Sequence, residues 1–342
     1  MTRPNDNPHA LATIDTFDAL DALPARQQAL VEQAFEYAQS SRAPNTQRAY
    51  EIGVRGYRDW CGEVGLDPEN EVTATSMALF ATSLASQGRK WSTINVALAG
   101  LDYNRVVRGL DPLRKSREVA MVTEGIRRVH GTAFRQAKPI TVEQLRLMVE
   151  HLDGPAAARD RALLLLGFSG AFRRSELTAL NWGDLTREAD GYVVTLRQSK
   201  TDQEGQGVIK AIPLGGRAST CPVRNLSMWG EVFGNYLHGL GKTQIARDPV
   251  FVRYSKNGPL PYRLTDQSVN QVVKRAMTDA GLDPAGYSGH SLRAGFVTAA
   301  ARANKRIDLI MQQTGHKSVD TVMRYIRHVE LFRENAAEGL GL

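Results

Sequence analysis

Cysteine is all but missing from this chain. Cys61 and Cys221 are the only two, far apart and outside any paired-ligand spacing. Neither a disulfide scaffold nor a zinc cluster can be built from them, so buried thiols in a reducing compartment are expected. Long apolar runs are missing too. The longest, Ala162 to Phe168, falls well short of the ~20 residues that a membrane helix needs. The first residues, Met1 to Pro8, are polar and carry no apolar signal core. No P-loop pattern occurs, and no His, Cys or carboxylate cluster has metal-ligand spacing. These absences argue against a secreted disulfide protein, a membrane protein, a P-loop NTPase and a zinc protein. A cytoplasmic location, at the nucleoid in a bacterium, is expected. Acidic residues are the minority charge: 36 Asp and Glu against 43 Lys and Arg give a net charge of +7. Such an excess suits an anionic partner, nucleic acid first, although any basic soluble protein would share it.

What is present divides the chain. A length of 342 residues suggests two domains. Residues 1–24, rich in Asp, Pro and Asn, read as a loose arm. From Pro24 to Ser41 the apolar residues Leu30, Val31, Ala34, Phe35 and Ala38 recur at helical spacing. Asn45-Thr46 is expected to cap a second helix with Tyr50, Val54, Tyr57 and Trp60 on one face. Thr73 to Ala85, Ser92 to Arg108 (capped by Ser92) and Glu118 to Val129 read as further helices, so residues 25–129 form an all-helical domain. Residues 130–139 carry Gly, Pro and cations without periodicity and read as a linker.

Residues 140–329 form the second domain, mainly helical with one small sheet. Thr141 caps its first helix, and Arg161 to Ser169 is a buried one. Val193 to Gln198 and Val208 to Pro213 flank a polar, Gly-containing turn and read as a hairpin. Helices follow over Gln267 to Ala280, His290 to Ala303, Ile307 to Gln313 and Val319 to Tyr325. Residues 330–342 hold a short amphipathic helix, Leu331 to Ala337, and a tail.

The chemistry sits in the second domain. His290 and Arg293 share one face of a helix start, a position that favours phosphate; without context they are ordinary surface residues. Arg173 and Glu176 repeat that spacing after a buried helix, where an arginine must be paired or hold an anion. A structural ion pair is the plain alternative. Lys200 sits at the hairpin tip, either reaching into a cleft or simply solvated. Tyr325 lies between Arg324 and Arg327, and is either a core tyrosine or a phenol activated by cations.

Taken together, these pieces resemble the tyrosine recombinase (phage integrase) family. The matching segments are Gly170-Ala-Phe-Arg173-Arg-Ser-Glu176-Leu177, Lys200-Thr201 in the hairpin, Gly289-His290-Ser-Leu-Arg293, Thr314-Gly315-His316-Lys-Ser318 and Tyr325-Ile-Arg-His328. Asn45-Thr46-Gln-Arg48-Ala-Tyr50, with Trp60 beyond, looks like the family's core DNA-binding domain, so the resemblance runs from about residue 25 to 335. The layout is closest to the simple, Cre-like recombinases, with His316 where Cre has a tryptophan.

The resemblance implies a two-domain fold, a helical core-binding domain plus a mixed α/β catalytic domain, closing as a C-shaped clamp on DNA. It implies a site-specific recombinase that cleaves and rejoins DNA through a 3′-phosphotyrosine and a Holliday junction, without ATP, metal or other cofactor. Tyr325 would be the nucleophile and Lys200 the general acid. Arg173, Arg293, His290 and His316 would hold the phosphate, with Glu176 orienting Arg173 and His290. Arg42, Arg48, Arg89, Lys90, Arg105, Arg108, Arg135 and Lys138 are the cations expected on DNA. The partners implied are double-stranded DNA with a specific, inverted-repeat site and three further copies of the chain, a homotetramer on two sites, with residues 330–342 docking on a neighbour. Two rivals remain open on the same residues: a type IB topoisomerase, and a DNA-binding regulator that has lost the chemistry.

Overall fold

The computed structural model describes residues 42–68, 72–131, 137–197 and 207–330, with residues 30 and 33. The chain divides into two compact units, Met1–Arg135 and Gln136–Leu342.

The first unit holds helices joined by short loops and no strand among the described residues. Helix α1 spans Pro44–Val64, α2 Ala74–Ser86, α3 Trp91–Val107 and α4 Arg117–His130. Proline opens α1 because its fixed φ suits the first turn and its missing N–H would be unpaired there anyway. Asn45 and Thr46 therefore lie inside the helix, and Ala43 occupies the capping position without a side-chain bond. Ser92 does not cap α3 either; that helix begins one residue earlier, after Lys90. Thr73 and Ser116 do cap α2 and α4 through their hydroxyls.

Helices α1 and α3 lie nearly backbone to backbone. A Cβ on Gly53 would stand 2.7 Å from the Cα of Ala97, and one on Gly100 would stand 2.8 Å from the Tyr50 carbonyl oxygen. Beside them Tyr57, Trp60 and Phe80 pack ring against ring, with centroids 5.4–5.7 Å apart. The expected helix over Pro24 to Ser41 falls outside the described residues, apart from Leu30 and Gln33, which are helical.

The second unit is mainly helical, with two small sheets. Helix α5 (Val142–His151) starts at a reciprocal capping box between Thr141 and Gln144. Helix α6 (Ala157–Ser169) is the buried one and starts earlier than its apolar run suggests. Its first turn holds Arg159 and Asp160, both buried and paired to each other at 2.7 Å, so charged residues stand in the core there. Arg275 joins the same carboxylate. Helix α7 is short, Arg174–Ala179.

The first sheet has order β1-β2-β3: Leu185–Glu188, Gly191–Leu196 and Val208–Pro213, all antiparallel. The expectation of a single small sheet is corrected by a second, β4 (Val252–Ser255) with β5 (Gly258–Arg263). Helix α8 (Pro222–Gly239) was also not anticipated. It buries Trp229, whose ring N–H donates to the Val250 carbonyl at 2.7 Å.

Helices α9 (Asp266–Asp279), α10 (Gly289–Arg302), α11 (Ile307–Thr314) and α12 (Val319–Glu330) complete the description. The last continues past Tyr325 rather than ending there. Val297, Ile310, Val322 and Ile326 make a separate apolar cluster that docks α12 on α10 and α11, and Tyr325 packs at its margin. Residues 331–337, expected to be a docking helix, lie outside the described residues.

Candidate active site

Two chain segments far apart in sequence, residues 169–173 and 313–316, face each other across a set of cations. Arg293, on the first turns of α10, is buried and donates through one nitrogen, Nη1, to the Ala171 carbonyl (2.8 Å) and the Thr314 carbonyl (2.5 Å). Lys210, from β3, donates to the Gly170 carbonyl (2.8 Å) and the Gln313 carbonyl (2.7 Å). Arg173 reaches the Gly315 carbonyl at a long 3.5 Å. The Gln313 amide adds a contact, donating to the Ser169 carbonyl at 3.0 Å. Lys210 and Arg293 thus each bridge both segments, one residue apart.

This stitching accounts for a local strain. Ala171 has φ of 48°, a left-handed conformation that costs a residue with a Cβ roughly 1–2 kcal/mol. Arg293 and Lys210 hold the carbonyls of Ala171 and its predecessor, so the surroundings fix what the residue alone would avoid. The kink leads directly into Arg173. That residue pairs with buried Glu176 at 2.5 Å, and the second Glu176 oxygen accepts from the Arg173 backbone N–H at 2.9 Å. The pair is intramolecular, yet it leaves Arg173 only partly buried.

Charge is concentrated here. Burial pulls the Arg293 guanidinium down to about 10, helped by Arg173 and opposed by Glu176 and Tyr325. Burial likewise pulls the Lys210 ammonium down to about 8, opposed by Glu176 and helped by Arg293 and Arg173. Both remain cationic at neutral pH, so three cations face one carboxylate. Arg293 Nη2 is buried with no hydrogen-bond partner among the described residues. A buried, unpaired guanidinium nitrogen is costly unless an anion completes it.

The remaining residues stand around this centre. His290 is exposed on the first turn of α10, three residues before Arg293. The His316 and Tyr325 rings are nearly parallel, with centroids 6.5 Å apart. His316 Nδ1 lies 2.9 Å from the Thr314 hydroxyl, whose single proton goes to the Ile310 carbonyl at 2.7 Å. The hydroxyl must then accept from Nδ1–H, which fixes the tautomer of the neutral ring.

Thus Arg173, Glu176, Arg293, His316 and Tyr325 converge, with His290 at the helix start beside them. Lys200 and Arg135 lie outside the described residues. Lys210 was missed from sequence. No local signal marks it: in Val208–Pro213 the structure turns Lys210 and Ile212 inward and leaves Ile209 facing out.

Of the cations expected on DNA, Arg42, Arg48, Arg89, Lys90, Arg108 and Lys138 are exposed. Arg105 is not. It is buried and holds the Asp111 carbonyl at 2.9 Å and the Val72 carbonyl at 2.6 Å, which makes it a staple of the first unit and corrects its expected place on a DNA-facing surface.

Residues 138–330 match the model of the phage integrase family. The chain belongs to that family. The integrase/recombinase XerD homolog of Selenomonas ruminantium is 34% identical over 304 residues, covering 87% of this chain and 86% of that relative. The Cre recombinase of Escherichia phage P1 is 27% identical over 268 residues, covering 72% and 74% of the two chains. Among solved structures, the XerH site-specific recombinase in its post-cleavage complex on palindromic difH superposes with a TM-score of 0.59 at 19% identity, covering 84% of this chain and 77% of that one. This tyrosine recombinase acts on DNA and recombines it at specific sites through a tyrosine-linked intermediate. No helix among the described residues of the recombinase is long and apolar enough to cross a membrane.

Proposed function

We propose that the Arg173–Arg293–Tyr325 cluster is the catalytic centre and that one scissile phosphate is the anion it is built for. The observation that carries this reading is Arg293 Nη2, a buried donor with no partner among the described residues, on a guanidinium that feels the charges of Arg173 and Tyr325. The Tyr325 oxygen attacks the phosphorus, the P–O5′ bond breaks, and a 3′-phosphotyrosyl ester and a 5′-hydroxyl result. Arg173 and Arg293 hold the nonbridging oxygens as charge grows on them. His316, oriented through Thr314, and His290 add hydrogen bonds, and His290 accepts the phenolic proton. Lys200 supplies the proton to the leaving 5′-oxygen. Glu176 holds Arg173 in line. The ester retains the bond energy, so rejoining needs no nucleotide.

Strand exchange then follows when the freed 5′-hydroxyl attacks a partner's phosphotyrosine, through a Holliday junction, in a tetramer on two inverted-repeat sites. An apolar groove of about 630 Å³, lined by Phe168, Ile209, Phe296, Ala300, Leu309 and Ile310, supports such an assembly. It offers a seat for Leu331 and Phe332 of a neighbouring copy, a head-to-tail contact that closes into a ring. The exposed cations of both units add phosphate contacts that set register. A DNA substrate places the protein at the nucleoid of a bacterial cell.

The test is covalent capture. Wild type and Tyr325→Phe are mixed with a pool of randomised duplexes, denatured in detergent, and the attached DNA is sequenced over successive rounds. Enrichment of a discrete site by wild type alone supports the reading. Attachment by Tyr325→Phe, or no attachment by wild type, overturns it. Diffuse attachment that depends on Tyr325 would favour a topoisomerase.

A further inference from the structure

Lys210 has no place in the reaction just described, yet it is among the most buried cations of the second unit. Only 2% of its surface is exposed. Its ammonium sits 4.8 Å above the Phe172 ring and donates to two carbonyls, of Gly170 and Gln313. Those carbonyls belong to the segments that deliver Arg173 on one side and His316 on the other. Arg293 makes the next pair of bonds, to Ala171 and Thr314. The two cations therefore act in series: Lys210 closes one end of the seam, and Arg293 closes the next step while keeping Nη2 for an anion.

A lysine is a costly way to hold two carbonyls. Burying it with two neighbouring guanidiniums is unfavourable, and only Glu176 offsets the repulsion. A neutral donor would satisfy the same carbonyls without that repulsion. Its charge, however, adds to the field at the phosphate without touching it.

Resting on the catalytic reading above, we propose that Lys210 is a positioning residue for DNA cleavage: its ammonium locks residues 170–173 against residues 313–316, and so sets the distance between Arg173, Arg293 and His316 at the scissile phosphate. Both of its hydrogen bonds are to main chain, so it acts through the residues those segments carry. A misplacement of about 1 Å in such a constellation is worth about a hundredfold in rate.

The test uses the full-length protein and a duplex recovered by the covalent capture. Lys210→Met keeps the unbranched apolar stem, one atom shorter, and removes charge and donors. It should lower the single-turnover rate of attachment about a hundredfold while noncovalent affinity for the duplex stays within about threefold, because one internal cation is a small part of a many-phosphate interface. Lys210→Arg, which can bridge both carbonyls, should recover most of the rate.

The charged groups facing Lys210 are Glu176, Arg293 and Arg173. Its folded value near 8 lies below the ordinary lysine value, so the protonated form is lost as pH rises through 8. The ratio of wild-type to Lys210→Arg rates should accordingly fall above that pH, because arginine does not titrate there and all other groups are common to both proteins. If Lys210→Met fails to melt cooperatively, this ratio decides alone.

Tyr325→Phe runs in parallel. If it is inactive while Lys210→Met attaches within about twofold of wild type, or while the ratio is flat with pH, the role of Lys210 is refuted and the catalytic reading stands. If Tyr325→Phe attaches DNA, both fall.

Discussion

Exchanging Arg293 for lysine isolates what a planar fork does that a point charge cannot. Both side chains are cationic at neutral pH, and burial, with Arg173 adding to it and Glu176 and Tyr325 opposing it, brings the arginine only to about 10. In the recombinase, Nη1 holds the Ala171 and Thr314 carbonyls at 2.8 and 2.5 Å, while Nη2 remains without a partner among the described residues. A lysine has one nitrogen. If that nitrogen holds the two carbonyls, its one remaining N–H starts from the place of Nη1 rather than Nη2 and is out of line with the phosphate; if it turns to the phosphate, Ala171 loses the bond that steadies its left-handed backbone. The first arrangement is expected, because two buried carbonyls without a donor are the more costly defect. The loss is then one hydrogen bond to a charged group, about 1.5–3 kcal/mol, or roughly 10- to 150-fold in the attachment rate. DNA affinity should change little, since many other phosphates are still bound. The assay is single-turnover attachment to a captured duplex, quenched in detergent and resolved on a gel, with a thermal melt of each protein. A rate within about threefold of wild type at an unchanged melting temperature would refute the claim that the free nitrogen of Arg293 is the phosphate donor.

Two further outcomes follow from the same geometry. Glu176→Gln removes the carboxylate that offsets Arg173, Arg293 and Lys210, and loss of one partner from a buried pair costs about 3–5 kcal/mol. The variant should melt well below wild type and be restored more than wild type by inorganic phosphate; equal melting with and without phosphate would contradict the charge argument. Gly295→Ala places a Cβ 2.1 Å from the Ile140 carbonyl, so α10 must shift. An overpacking cost of about 1–3 kcal/mol should appear in denaturant unfolding, together with slower attachment although residue 295 points away from the cations. An unchanged midpoint and rate would mean that α10 is free to move without moving Arg293.

The candidate site was legible because the types and spacings of its residues are unusual in combination. Arg173 with Glu176, and His290 with Arg293, each fall on one helical face, and the structure uses both pairs at helix starts. Helix periodicity likewise located most helices to within a residue or two. The failures have separate physical causes. Asn45, Thr46 and Ser92 looked like caps because of side-chain chemistry, but a proline at the first turn and an early tryptophan moved both helix starts. Helix α6 was expected to begin at Arg161, yet Arg159 and Asp160 belong to it; they enter the core as a pair, with Arg275 on the same carboxylate and the Val252 carbonyl on Arg159. Strands β1, β4 and β5 are four to six residues long and mostly half-exposed, so neither alternation nor an apolar run marks them.

The instructive case is β3, whose bounds Val208–Pro213 were legible but whose phase was not. Its sequence, Val-Ile-Lys-Ala-Ile-Pro, invites placing Ile209 in the core and Lys210 in water, and the structure has the opposite. The pleat allows only two phases, and each must satisfy every residue at once. Turning Lys210 outward would strand the carbonyls of Gly170 and Gln313 and bury Ala211 in place of Ile212. The chosen phase leaves Ile209 69% exposed, on the wall of the apolar groove, where a neighbouring chain could cover it. The exposed isoleucine and the buried lysine are therefore two consequences of one register. That register is fixed by main-chain groups some forty and a hundred residues away, which is why no local pattern could disclose it.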